Sequence, residues 1–185
     1  MSATRRVLCL CGSLRRVSSN RAALEAARQL APASLELVMH DDLAALPLFN
    51  PDDEHDPLPV SVLALREAVG RADALLVACP EYAHGVPGAF KNLLDWLVGS
   101  LEFPGKPVLL LNASARGSYH AQEALAEILG TMSAELLSTQ PFPVALPGAG
   151  CTTEQVLASA ERRAELRAAL ELLIPSPPTN VGGEG

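Results

Sequence analysis

The sequence predicts an α/β protein, a parallel sheet wound in both directions with helices on both faces, three layers in all. Three observations predict it. Short apolar runs alternate with longer amphipathic stretches over most of the 185 residues, as successive strand–helix units require. The apolar runs are continuous rather than alternating, which suits strands buried on both faces. Hydrophobic residues make up 49% of the chain and charged residues 19%, enough apolar material for one sizeable core. Aromatics are only 4%, so Leu, Val and Ala build that core.

The elements follow in order. Residues 7–11 (VLCLC) read as a strand stopped by Gly12. Residues 20–31 carry Leu24, Ala27 and Leu30 near helical spacing, and Pro32 ends that helix. Residues 35–39 are a second strand. Residues 40–59 form a long polar connection dense in Asp and Pro. Residues 60–71 are a helix with Val62, Leu65 and Val69 on one face, and residues 74–79 a third strand stopped by Pro80. Pro87 suits a first helical turn, so 88–98 is the next helix. Residues 107–112 are a fourth strand and 119–132 a helix. Residues 135–144 hold a fifth strand interrupted by Pro141 and Pro143, and 153–173 a final helix. One domain to residue 174 is expected, followed by a disordered tail, 175–185, rich in Pro and Gly.

Net charge is −7 with a pI near 5.1. A nucleic-acid binder needs a concentrated basic surface, so none is expected. The basic N-terminal residues precede too short an apolar run for a membrane span. A cytoplasmic protein without membrane attachment is expected. Cys9, Cys11, Cys79 and Cys151 lack zinc-ligand spacing and read as buried small hydrophobes. His40, Asp41, Asp42, Asp52, Asp53, Glu54, His55 and Asp56 crowd the long connection without the order of a calcium loop. No metal is expected; a solvated segment bordering the active site or a partner subunit is.

Doubly wound sheets bind ligands beyond the carboxyl ends of their strands, so the loops after strands one, three and four are the candidates. The first runs Gly12, Ser13, Leu14, Arg15, Arg16, Val17, Ser18, Ser19, Asn20 into a helix. Unpaired N–H groups and the helix dipole favour an anion there, Ser13, Ser18 and Ser19 can donate, and Arg15 and Arg16 add charge. Ser and Asn also cap helices, but two Arg and three Ser exceed what a cap needs. The loop has neither the dinucleotide nor the triphosphate glycine pattern, which leaves a phosphate monoester. The second loop begins Pro80, Glu81, Tyr82, Ala83, His84, Gly85, with glycines at 85 and 88 that allow close approach of a flat ring.

Gly12, Ser13, Arg15, Ser18 and Asn20, together with Pro80, Glu81, Tyr82, Pro87, Gly88, Lys91, Asn92, Asp95 and Trp96, make the chain resemble the NADPH-dependent FMN reductase family, which includes quinone, chromate and azo-dye reductases. The resemblance runs loosely from residue 5 to about 147. It implies a flavodoxin-like fold with strand order 2-1-3-4-5. It implies FMN, its phosphate held by Ser13, Arg15, Ser18 and Asn20, to which the loop reading adds Ser19, and its ring bordered by Pro80, Glu81, Tyr82 and the backbone of Ala83, His84 and Gly85. Ser114, Gly117 and Ser118, after strand four, fall beside the pyrimidine side of the ring. Arg116 is a candidate for the NADPH phosphate or reduced flavin. Tyr82 and His84 are candidate proton donors. Lys91, Asn92, Asp95 and Trp96 are assigned packing and surface pairing. The family's Asn after Tyr is Ala83 here, a departure at the ring end.

The implied activity is hydride transfer from NADPH or NADH through the flavin N5 to a quinone or similar small acceptor, donor and acceptor binding in turn. The resemblance also implies a homodimer or homotetramer. A flavodoxin-like electron carrier and a non-catalytic flavin- or nucleotide-binding domain are the alternatives.

Overall fold

The computed structural model describes residues 4–115 and 117–175. The predicted tail falls outside them from residue 176 onward. Eight of the elements form the predicted units: β1 (Arg5–Cys11), α1 (Ser19–Leu30), β2 (Leu35–His40), α2 (Val60–Arg71), β3 (Ala74–Ala78), α3 (Gly88–Val98), β4 (Pro107–Ser114) and α4 (Tyr119–Thr131). After them come β5 (Glu135–Leu136), β6 (Phe142–Ala145), α5 (Thr153–Ala158) and α6 (Ala160–Glu171). Every strand pairing is parallel, in the order β2-β1-β3-β4, with β5 and β6 both on the far side of β4.

Alternation along each strand separates two cores. Val7, Cys9 and Cys11 of β1 and Leu109, Leu111 and Ala113 of β4 pack with α1 and α6. Leu8, Leu10, Val108 and Leu110 pack with α2, α3 and α4. All four cysteines are free and buried. Burial pushes the Cys9 thiol up to about 12 and raises Cys79 further, so neither supplies a thiolate at neutral pH.

Two predicted elements are divided. The fifth strand is two short ones: β5 pairs with Pro107 and Val108, and β6 with residues 111–114. Between them Pro141 offers no N–H for a ladder, and Pro143 is tolerated because β6 is an edge. The final helix breaks at Ser159, whose backbone is extended (φ −86, ψ 125) and whose hydroxyl accepts from the Arg162 N–H at 3.3 Å. A serine placed there caps a new helix rather than continuing the old one.

The long connection is not loosely solvated throughout. Trp96 Nε1 and Asn92 Nδ2 both donate to Pro47 O at 2.8 Å, and Phe49 N donates to Asn92 Oδ1 at 2.7 Å. Phe49 meets the Trp96 ring edge-on at 5.0 Å. Arg66 joins Glu54 at 2.5 Å and also donates to Trp96 O. Lys91 pairs with Asp95 one turn on. The predicted packing role of α3 is thus specific: Asn92 and Trp96 fasten residues 47–49.

His40 ends β2 with its Nε2 buried and unpartnered. Burial lowers its pKa from the usual 6.5, against the pull of Asp42 and Asp41. A neutral His in the fold and an ordinary one in the unfolded chain make the unfolded state bind the proton first. Stability is therefore expected to fall as pH drops below about 6.5 towards the lowered folded value. Denaturant midpoints taken on either side of that range should show it, and His40→Asn should flatten the slope.

Candidate functional site

The carboxyl ends of β1, β3 and β4 open on a cleft of about 690 Å³. Its first wall is the loop after β1. Gly12 N donates to Ala78 O at 2.9 Å, and a Cβ at Gly12 would stand 2.6 Å from Cys79 Sγ. Only glycine lets β1 and β3 close this tightly at the loop's base. The chain then turns through Ser13, whose Oγ accepts from Arg15 N at 3.3 Å. Ser18 caps α1, its hydroxyl accepting from Arg21 N at 3.3 Å.

Ser13, Arg15, Ser18, Ser19 and Asn20 all line the cleft. Their availability differs. Ser19 Oγ donates to Gly148 O at 3.1 Å and accepts from the N–H groups of Gly150 (2.8 Å) and Cys151 (3.1 Å). Its hydroxyl is saturated, and it works by fastening the loop after β6 to the start of α1. Arg15 makes no ion pair among the described residues and is the guanidinium among the described residues of the lining. Arg16 does not line it. Asn20 is buried, and its Oδ1 has no partner.

The second wall is the loop after β3. Pro80, Glu81 and Tyr82 line the cleft, with Tyr82 55% exposed. Glu81 Oε2 accepts from the Ala121 N–H at 3.0 Å, so this carboxylate caps α4 as it borders the cleft. Tyr82 and Gly85 exchange N–H···O bonds of 3.1 and 3.0 Å. Between them Ala83 (φ 49) and His84 (φ 59) both adopt positive φ, the pattern of a type I′ hairpin turn. Ala83, His84 and Gly85 form this turn beyond the lining residues. The His84 ring stacks on His120 of α4, centroids 4.4 Å apart.

The turn gives the departure at Ala83 a backbone cost. A left-handed conformation costs an ordinary L-residue about 1–2 kcal/mol, and Asn tolerates it better than Ala. Ala83→Asn or Ala83→Gly is expected to raise stability by ~1 kcal/mol, read as a higher denaturant midpoint.

The third wall follows β4. Ala113, Ser114, Ala115 and Ser118 line the cleft. Gly117 sits at φ 93 and Ser118 at φ 45. Asn112 Nδ2 donates to Gly117 O, and Ser118 Oγ lies 3.0 Å from Ser114 Oγ. A Cβ at Gly117 would strike the Tyr119 ring at 2.3 Å. Gly117 thus supports the wall from behind. Arg116 lies outside the described residues.

A fourth wall was not anticipated: Pro147, Gly148, Ala149 and Gly150, after β6. Its signal was in the sequence, a Pro/Gly run between a strand and the capped helix α5. The divided fifth strand obscured it.

The cleft offers hydroxyls, helix N–H groups, one described guanidinium and one carboxylate. Cys11 and Cys79, beneath it, are raised by burial. Among the described residues no group of three His, Cys, Asp or Glu is arranged to hold a metal. The arrangement suits binding an anion and a flat group together.

The sequence profile of the NADPH-dependent FMN reductase family matches residues 5–145. A quinone reductase of Escherichia coli is 37% identical over 134 residues, covering 68% of this chain and 71% of its own. An NAD(P)H-dependent FMN reductase of Pseudomonas aeruginosa is 39% identical over 133 residues, with the same coverage. Among solved structures, a flavoenzyme NAD(P)H:(acceptor) oxidoreductase from Paracoccus denitrificans superposes with a TM-score of 0.70 at 26% identity, covering 91% of this chain and 97% of that one.

Proposed function

The chain belongs to the NADPH-dependent FMN reductase family and is an NAD(P)H-using FMN oxidoreductase; we propose that it passes hydride to a quinone or similar small oxidised acceptor, donor and acceptor taking turns at one cleft. The observation that carries this reading is that the N-terminus of α1 and the 80–82 loop open on the same 690 Å³ space, a volume usual for small-ligand sites.

The residues present fit FMN. Arg15, the hydroxyls of Ser13 and Ser18, and the first N–H groups of α1 suit a phosphate dianion. Asn20 Oδ1, a buried acceptor without a donor, suits the hydroxyls of a ribityl chain. Pro80, Glu81 and Tyr82 border the place for the flat ring, with Ser114 and Ser118 across from them. FMN supplies the hydride-carrying chemistry when bound. The protein's part is to hold that ring through the residues that border the cleft and to shape its opening. Glu81 holds α4 against the ring-side loop through Ala121. Tyr82, at the rim, is placed to stack an incoming ring and to offer its hydroxyl proton to a reduced acceptor, and His84, steadied by His120, is the second candidate donor.

We place the protein in the cytoplasm as a homodimer or homotetramer. Leu14 and Val17 on the loop after β1, and Tyr119 at the start of α4, are large apolar side chains left exposed, and a second copy covering them would bury that surface. No described helix is long and apolar enough to cross a membrane.

Anaerobic addition of NADPH to the FMN-loaded protein is expected to discharge its yellow colour, and a quinone to restore it. Initial rates at several fixed acceptor concentrations should give parallel reciprocal lines. Intersecting lines would overturn the turn-taking, and unchanged colour would favour an electron carrier instead.

A further inference from the structure

Ser19 is expected at the flavin phosphate, yet its hydroxyl is committed elsewhere. A serine hydroxyl has one proton to donate and two lone pairs to accept with. Here the proton goes to Gly148 O at 3.1 Å, and the lone pairs take the N–H groups of Gly150 at 2.8 Å and Cys151 at 3.1 Å. Among the described residues, every hydrogen bond made by residues 147–151 goes to this one side chain. Leu146 and Cys151, on either side, are buried with α1 and α6. Residues 147–150, between them, line the cleft.

The place this loop occupies gives it a role. Ser19 is the first residue of α1 and Ser18 its cap, so the pinned loop stands beside the helix N-terminus, where an anion binds. Arg15 meets it from the other side. A Cβ built on Gly150 would lie 3.6 Å from Arg15 Nη2 and 3.9 Å from Val17 Cγ1, which sets the guanidinium against the loop's backbone. Gly150 itself sits at φ 77, a conformation natural to glycine. A phosphate held by Arg15, Ser13 and the first N–H groups of α1 therefore has the loop after β1 on one side and residues 148–150 on the other.

We infer that Ser19 is a positioning residue for cofactor choice. By pinning residues 148–151 across the start of α1, it closes the phosphate end of the cleft. A flavin that ends in a phosphate monoester fits; one whose phosphate is extended by a second phosphate and a nucleoside does not. The inference rests on the reading of this cleft as the FMN site. An extended flavin has to lead its chain out past Arg15 and Gly150, and so has to displace a loop held by three hydrogen bonds at once. Loss of the hydroxyl frees the loop to open locally. That gives the longer flavin its exit and takes from the shorter one part of its enclosure.

The test titrates the flavin-free protein with FMN and with FAD by calorimetry, and follows exchange of the Gly150 and Cys151 amide protons by NMR. The parent should bind FMN at least about a hundredfold more tightly than FAD, and Ser19→Ala should cut that ratio at least about tenfold. The same variant should speed exchange at both amides. Ser19→Thr, which keeps a hydroxyl, should restore the ratio and the protection. Should Ser19→Ala fail to fold, Ser19→Cys, whose thiol is a weak donor and acceptor, should shift both readouts in the same direction. A parent that binds FAD as tightly as FMN, amides that stay protected in Ser19→Ala, or equal losses of the two flavins overturns the inference and leaves Ser19 a structural tie. A parent that takes up neither flavin sinks the FMN reading, and the inference with it, a result distinct from all three.

Discussion

Arg15→Ala is expected to weaken FMN binding by about tenfold to a hundredfold, the usual worth of a charge-assisted hydrogen bond to a phosphate. Arg15 is the guanidinium among the described residues lining the cleft, and no described acid competes for it. Its side chain is exposed at the loop rather than packed in a core, so the flavin-free protein should melt where the parent does. Arg15→Lys should recover part of the loss, since it keeps the charge but not the planar fork. Arg16→Ala is the control, because Arg16 does not line the cleft. Flavin fluorescence quenching reads all three, and comparable losses at Arg15 and Arg16 would mean that only diffuse charge matters.

Trp96→Ala should have the largest effect on stability, a loss of about 3–5 kcal/mol. Trp96 is fully buried at the centre of the α2–α3 core. Its ring supports Phe49 and its Nε1 holds Pro47 O, so truncation leaves a cavity and releases the connection that crosses α3. Against a usual total of about 5–15 kcal/mol this is a large fraction. Trp96→Phe keeps most of the volume and should lose about 1–2 kcal/mol. Denaturant unfolding separates the two. Neither change touches the cleft, so FMN affinity measured well below the melting temperature should hold.

What the sequence made legible, and what it did not, follows from where the determinants lie. Residues 7–11, 74–78 and 108–111 are uninterrupted apolar runs, the composition of strands buried on both faces. Strand order came through the family resemblance rather than periodicity, because pairing between distant segments leaves no local trace. The break at Ser159 sits between alanines that favour helix on either side, so only the cap geometry reveals it. At the candidate site, the loops after β1 and β3 were visible as polar and Gly/Pro punctuation. Ser19 was legible as a site residue, but not its bonds to residues 148–151, which are distant in sequence. In the sequence Ala83 was visible only as a departure from the family's Asn. The structure makes it a question of backbone conformation, with φ at 49.

The central claim is that the cleft beyond β1 is built around a phosphate monoester attached to a flat ring. The most direct measurement compares FMN with riboflavin, which carries the same ring and ribityl chain without the phosphate, by fluorescence titration of the flavin-free protein. The account predicts that FMN binds at least about a hundredfold more tightly, and that Arg15→Ala removes much of that preference. Equal affinity for the two, or a preference that Arg15→Ala leaves unchanged, would contradict it.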